Sequence, residues 1–182
     1  MSKKIKYHYD NKLHAKFIRD NSQQKPKTNL GYVAAYSADF VLLQETRWFK
    51  LPGFHIFPVS RLKKIHFSNL NRRYHKIMIW RGLVETVGIN YPIDLSSWED
   101  IFESLKKYNL TVIIEFNNNV TPDSSVIKTT SQSVYIQAID SKKSAGKEIA
   151  EIPFESISNL QFSTKVIHKK SRQPAKRKVK MR

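Results

Sequence analysis

The chain repeats itself, and this constrains its fold more than any other feature. Phe57-Pro58-Val59-Ser60-Arg61-Leu62-Lys63-Lys64-Ile65-His66-Phe67 and Ile152-Pro153-Phe154-Glu155-Ser156-Ile157-Ser158-Asn159-Leu160-Gln161-Phe162 lie at a constant offset of 95 residues. Both read apolar, Pro, apolar, two polar, apolar, two polar, apolar, polar, Phe. Upstream, Asp39-Phe40-Val41-Leu42 aligns with Ser133-Val134-Tyr135-Ile136 at an offset of 94, and Ala15 to Arg19 with Leu110 to Ile114 at about the same spacing. A duplicated pattern implies the same supersecondary unit built twice. The unit is about 55–60 residues long.

Each copy reads as short strands. In the first, Phe17-Ile18 opens, Asn21 to Asn29 is a polar loop around Pro26, and Leu30 to Tyr36 and Phe40 to Glu45 are β-rich. Ser37-Ala38-Asp39 is expected to turn between them. Pro52-Gly53 reads as a type II turn with Gly supplying positive φ. Phe54 to Val59 and Leu62 to Phe67 follow. The second copy reads Leu110 to Phe116, Ser125 to Thr129, Ser133 to Ile139, Ile149 to Pro153 and Ile157 to Ser163, with a longer turn over Asp140 to Lys147. Pro58 and Pro153 mark strand ends or bends, because Pro cannot donate to a central ladder. Between the copies, Ser96-Ser97-Trp98-Glu99 fits a capping box, with Ser96 as cap and Glu99 reaching back. Ile101, Phe102 and Leu105 then recur at helical spacing, which predicts a packing helix over 96–107.

Charge divides the chain in three. Residues 1–85 carry 17 basic and 5 acidic side chains, 86–163 carry 6 and 10, and 164–182 carry 9 and none. The formal net charge is +17, which favours a polyanionic partner over a neutral small molecule. The segment 165–182, with Lys169, Lys170, Arg172, Lys176, Arg177 and Lys178, is too charged and too poor in apolar residues to be expected to fold alone. It reads as a nucleic-acid arm. Between Glu45 and Glu85 stand nine basic residues and no acidic one: Arg47, Lys50, Arg61, Lys63, Lys64, Arg72, Arg73, Lys76 and Arg81. Of these, Arg61, Lys63, Lys64, Arg72, Arg73 and Lys76 are expected to contact phosphate. Trp48, Tyr74 and Trp80 are interspersed, and aromatic faces can stack on unpaired bases. For the two tryptophans, a core or inter-domain position is the stronger expectation.

Catalytic chemistry finds little support. No Cys is present, so disulfides, thiolate nucleophiles and Cys-ligated zinc are excluded. The histidines lack the spacing of a zinc site, and His66 reads as an ordinary surface residue. Glu99, Asp100 and Glu103 are accounted for by helix-start electrostatics. No Gly-rich phosphate loop occurs. The expectation is a chain that is not an enzyme and takes no metal or cofactor. No apolar run reaches 18 residues, the chain start lacks the apolar stretch of a secretory signal, and a cytoplasmic location with no membrane partner is expected.

Five short antiparallel strands per copy suit a small barrel. The run Gly31 to Glu45, followed by Gly53 to Ile65 with its Ile-x-x-Ile-like ending, resembles the Sm-like, or SH3-like, barrels. More narrowly, two such units and a capped helix resemble uncharacterised bacterial proteins with two tandem Sm-like domains, over residues 13–165. The resemblance implies a mainly β chain of two tandem five-stranded barrels, 13–68 and 109–164, joined by a connector at 69–108 and followed by a disordered basic tail at 165–182. It also implies RNA binding, often as rings. Neither the RNA-contacting motif of the bacterial Sm chaperone nor the Arg-Gly signature of the eukaryotic proteins is present, so no family site carries over. Two functions compete: a nucleic-acid-binding adaptor, RNA rather than DNA, and a protein-interaction or assembly module that self-associates or binds a protein through the second unit.

Overall fold

A computed structural model describes residues 1–20, 25–88, 92–139 and 148–163. The fold is mainly β, with eleven strands in one antiparallel sheet and three α-helices among the described residues. None of these helices is long and apolar enough to cross a membrane. The strands expected in the first copy form: α1 (Ser2–Asp10) leads into β1 (Ala15–Arg19), β2 (Lys27–Tyr36), β3 (Phe40–Glu45), β4 (Phe54–Pro58) and β5 (Leu62–His66). Helices α2 (Asn69–Trp80) and α3 (Trp98–Lys107) form the connector. The second copy is β6 (Val112–Phe116), the two-residue β7 (Asn119–Val120), β8 (Ser124–Thr129), β9 (Ser133–Ala138), β10 (Ile149–Pro153) and β11 (Ile157–Phe162). The basic segment 165–182 and the turn at 140–147 lie outside the described residues.

The duplication is visible in the strand order. Along the sheet the order is β10-β9-β8-β6-β11-β4-β3-β2-β1-β5. Each copy therefore runs fourth, third, second, first, fifth, with β7 a side branch on β6. In both copies the fourth strand ends in Pro, a one-turn 3-10 helix follows (Val59–Arg61 and Phe154–Ser156), and a buried Leu62 or Ile157 starts the fifth strand. The Pro holds φ near −62° or −64°, which suits entry to the turn.

Two closed, separate barrels are not what forms. The ladder is open, with β5 and β10 at its ends, and β11 of the second copy pairs with β4 of the first. That pairing satisfies backbone groups that would otherwise be edges and fuses both copies into one sheet. The upstream repeat alignment is also corrected. Pairing with the neighbouring strands matches Val41 with Val134, a spacing of 93 residues, and Phe17 with Ile114, a spacing of 97. Only the Pro-containing segment keeps 95. A one-residue slip in a strand exchanges its two faces, so the difference decides which side chains are buried.

Two cores result. Ile5 of α1 joins Ala15, Phe17, Val33, Val41, Leu43, Phe57, Leu62 and Ile65 in the first. The second contains Ile101, Phe102 and Leu105 of α3 with Val112, Ile114, Val134, Ile136, Ile157 and Leu160, as the helical stripe predicts. It also takes Phe40, Leu42, Phe54 and Ile56 from the first copy. Strands β3 and β4 are thus buried on both faces, which explains their near-continuous apolar runs.

Two turn assignments change. Ser97, rather than Ser96, caps α3: its hydroxyl accepts from the Asp100 N–H at 3.1 Å and donates to the Asp100 carboxylate at 2.6 Å. Ser96 instead donates to Asp94. Gly53 has no positive φ, so Pro52-Gly53 is not a type II turn. Glycine is needed there for close approach, since a Cβ would lie 2.7 Å from the Phe162 carbonyl oxygen across the β4–β11 seam.

Candidate nucleic-acid interface

Helix α2, within the connector expected at 69–108, carries most of the candidate site. Ser68 and Asn71 form a capping box at its start: the Ser68 hydroxyl accepts from the Asn71 N–H, and the Asn71 side chain accepts from the Ser68 N–H. Asn71, Tyr74, His75 and Met78 face inward at spacings of three and four residues. They meet a cluster of His14, Thr46 and Phe49, the last two in the segment between β3 and β4. The Asn71 amide bonds His14 Nδ1 at 3.2 Å, and His14 Nε2 bonds the Thr46 hydroxyl at 2.8 Å. Tyr74 stacks on His14 and on Phe49, each at 4.4 Å between ring centroids. Burial pushes the His14 imidazole down to about 4, with His75 adding to the effect, so it is neutral at pH 7 and can accept as well as donate.

The outward face of α2 is cationic. Arg72, Arg73 and Lys76 are exposed, and the Arg72 guanidinium lies 5.4 Å from the Phe67 ring centroid. Lys63 and Lys64 are exposed on the adjoining β5, while Arg61 is half-buried in the 3-10 turn before it. Five of the six expected phosphate-binding residues of the body are therefore open to solvent. Lys63 is partly neutralised by Asp20, whose carboxylate is 3.5 Å away. Lys169, Lys170, Arg172, Lys176, Arg177 and Lys178 lie outside the described residues.

The tryptophan expectation is overturned. Trp48 is 81% exposed and Trp80 85%. Trp48 and Phe49 are the two central residues of a tight turn, at φ 53° and 54°, closed by reciprocal Arg47 and Lys50 backbone hydrogen bonds of 3.0 Å. The turn occupies the place where a buried aromatic was expected, and its backbone points Trp48 outward. Trp80 ends α2 on the face opposite Met78. A helical phase for 69–80 would have exposed this in the sequence, because Trp80 falls in line with Arg73 and Ile77 and away from Asn71 and Met78. The strong local cue was the Ser68-x-x-Asn71 start.

Arg19 was missed altogether. Its side chain is 3% exposed, and it donates to Asn29 at 2.8 Å, the Ser158 carbonyl at 3.3 Å and Glu115 at 3.4 Å. Lys27 reaches the same Glu115 oxygen at 3.1 Å. This cation latches the two copies together and is not free for a ligand. Strand alternation is the local sign that sets it apart, placing it on the buried face of β1 with Ala15 and Phe17. A cleft of roughly 260 Å³ at the seam is lined by Pro52, Gly53, Ile113, Gln161 and Phe162, and Asp123 is its single charged group. That cleft does not suit an anion. His66 is exposed, as expected.

No family model, curated protein or solved structure matches the chain.

Proposed function

We propose that the chain is a non-enzymatic nucleic-acid-binding adaptor, RNA rather than DNA, built from two tandem Sm-like units. The observation that carries the reading is the exposed set Lys63, Lys64, Arg72, Arg73 and Lys76, which spans adjoining strand and helix in a stretch without carboxylates between Glu45 and Glu85. Cations so placed release counterions on meeting phosphates. The Sm-like reading is supported by the strand order common to both copies. The basic segment 165–182 adds nine positive charges to the same partner. A salt titration of binding to single-stranded RNA tests it. Affinity should fall steeply with salt, and absence of binding at low salt with folded protein removes the proposal.

A second reading, assembly with further copies of the chain, is favoured by the open sheet edges. Inside the chain, fifth strand β11 pairs with fourth strand β4 through Leu160 opposite Ile56 and Phe162 opposite Phe54. The free edges are the remaining fourth and fifth strands, β10 and β5. Their charges are complementary, with Glu148 and Glu151 at one edge and Lys63 and Lys64 on the other. Transferring the internal register sets Glu151 opposite Ile65 and Ile149 opposite Phe67. Ile149 is 50% exposed. Such a head-to-tail contact closes as a ring or extends as a filament. Sedimentation velocity of wild type and Ile149→Arg decides it: a single monomeric species for both rejects assembly.

A further inference from the structure

Trp48 and Trp80 are the two most exposed large apolar side chains of the described residues. A tryptophan left in water forgoes the burial that makes it useful to a core. Trp48 is also held in a costly conformation. The chain has a second turn with two successive residues at positive φ, Asn117 and Asn118, at 42° and 64°. Asn tolerates that region through its short polar side chain, whereas a bulky aromatic is an outlier there. One turn is filled by the residue type its backbone favours, and the other by Trp and Phe.

The surroundings hold the strained turn in place. Phe49 stacks on Tyr74 and its N–H donates to the Tyr74 hydroxyl at 2.7 Å. Arg81 donates to the Phe49 carbonyl at 3.3 Å. The anchors come from α2 and its C-cap residue, so the residue after Trp48 is tied to the residue after Trp80. Strain kept by such over-determination concentrates at functional sites. Around the two indoles stand Arg47 and Lys50 in the turn, Arg81 beside Trp80, and Arg73 and Lys76 on the same helix face, all exposed.

Resting on the nucleic-acid reading above, we infer that Trp48 and Trp80 form a stacking platform for unpaired bases of a single strand, with the flanking cations holding its phosphates. The pairing of indoles with cations is what selects this occupant. Base faces take the indoles, and phosphates take Arg47, Lys50, Arg73, Lys76 and Arg81. A protein covering the same face through its apolar Leu70, Ile77 and Ile79 would strand Arg72, Arg73 and Lys76 without partners, at a desolvation cost.

Fluorescence tests the inference in a Trp98→Phe background, where emission comes only from Trp48 and Trp80. A short single-stranded oligouridylate should quench it, and inorganic polyphosphate should bind without comparable quenching. Trp48→Asn should keep the turn, raise the melting temperature and weaken oligouridylate binding by roughly 5- to 150-fold, with Trp80→Ala in the same range. Unchanged oligouridylate affinity in both variants, with Arg72→Glu/Arg73→Glu/Lys76→Glu binding more weakly, overturns the platform and leaves the wider reading standing. No RNA binding by any form, wild type included, overturns both. Tryptophan-dependent binding to phosphatidylserine vesicles without RNA binding also overturns it, and assigns the face to a membrane surface.

Discussion

Asn159 of β11 and His55 of β4 meet side chain to side chain across the seam between the two copies, 3.2 Å apart and buried. His55 Nε2 lies 3.6 Å from the Glu45 carboxylate, and that imidazole holds the Glu45 carboxyl below its usual range. The pair is a polar tie inside an otherwise apolar join. Asn159→Leu removes one partner and leaves the other buried and unsatisfied, which costs about 1–3 kcal/mol. Urea denaturation of the variant measures it. A midpoint equal to wild type would show the tie contributes nothing net.

Leu62 and Ile157 are the matched, buried starts of the two fifth strands, at 5% and 2% exposure. Truncation of either to Ala should destabilise by ~2–5 kcal/mol. The two losses should be of similar size if the repeat places them alike. Loss from one alone in thermal or chemical unfolding would contradict equivalent environments.

Gly31 and Gly53 are fixed by close approach. A Cβ on Gly31 would stand 2.1 Å from the Gln44 carbonyl oxygen, and on Gly53 2.7 Å from that of Phe162. Overpacking against backbone should make Gly31→Ala and Gly53→Ala each cost about 1–3 kcal/mol or more. Gly82, at φ 67° with nothing near its Cβ position, is the comparison. Gly82→Ala should cost less than Gly31→Ala in the same unfolding assay.

Stability should fall in mild acid. Burial depresses the pKa of folded His14 to about 4, from about 6.5 for a free imidazole. The unfolded chain therefore takes up a proton below about pH 6.5 that the folded chain refuses until about pH 4. Stability is full above that window and is lost as pH falls through it, by about 3 kcal/mol from this one group. His8 and His75 are lowered too, chiefly by burial, and act in the same direction. His14→Gln keeps a hydrogen-bonding side chain and removes the titration. Its unfolding free energy should vary less between pH 7 and pH 4 than that of wild type, and an identical pH slope would rule out His14 as the cause.

Phosphate contacts should appear in the salt dependence. Reversing Arg72, Arg73 and Lys76 to Glu removes three cations from one face and should flatten the log–log salt slope by about 2 for a single strand. Affinity should drop similarly across RNA sequences, because phosphate contacts do not read bases. A sequence-selective loss would indicate that these side chains reach base edges instead.

Short-range pattern made the mainly β class, most strand positions, the repeated strand ends at Pro58 and Pro153 and the buried Ile101, Phe102 and Leu105 stripe legible in the sequence. Each depends on local periodicity or on a residue such as Pro with one preferred backbone geometry. The candidate cations were legible for the same reason, since a stretch without carboxylates is a property of composition. Helix α2 was not, because its apolar residues face outward as well as inward. Leu70 is 75% exposed while the inward Asn71 is buried, so its hydrophobic stripe does not announce a packed face.

Long-range pairing decided the rest. Whether Phe40 or Val41 matches Val134 depends on hydrogen bonds to strands elsewhere in the chain, and a slip of one residue leaves the apolar pattern almost unchanged when both faces are buried. The seam joins β4 to β11 across about a hundred residues, and the second copy brought there by it supplies the Glu115 and Ser158 partners of buried Arg19. The exposure of Trp48 was likewise set by Tyr74 and Arg81 gripping Phe49. The sequence by itself determined what each segment prefers and which residues carry charge. Only the tertiary structure decided which face each segment shows, because burial is a relation between segments and a local pattern holds just one side of it.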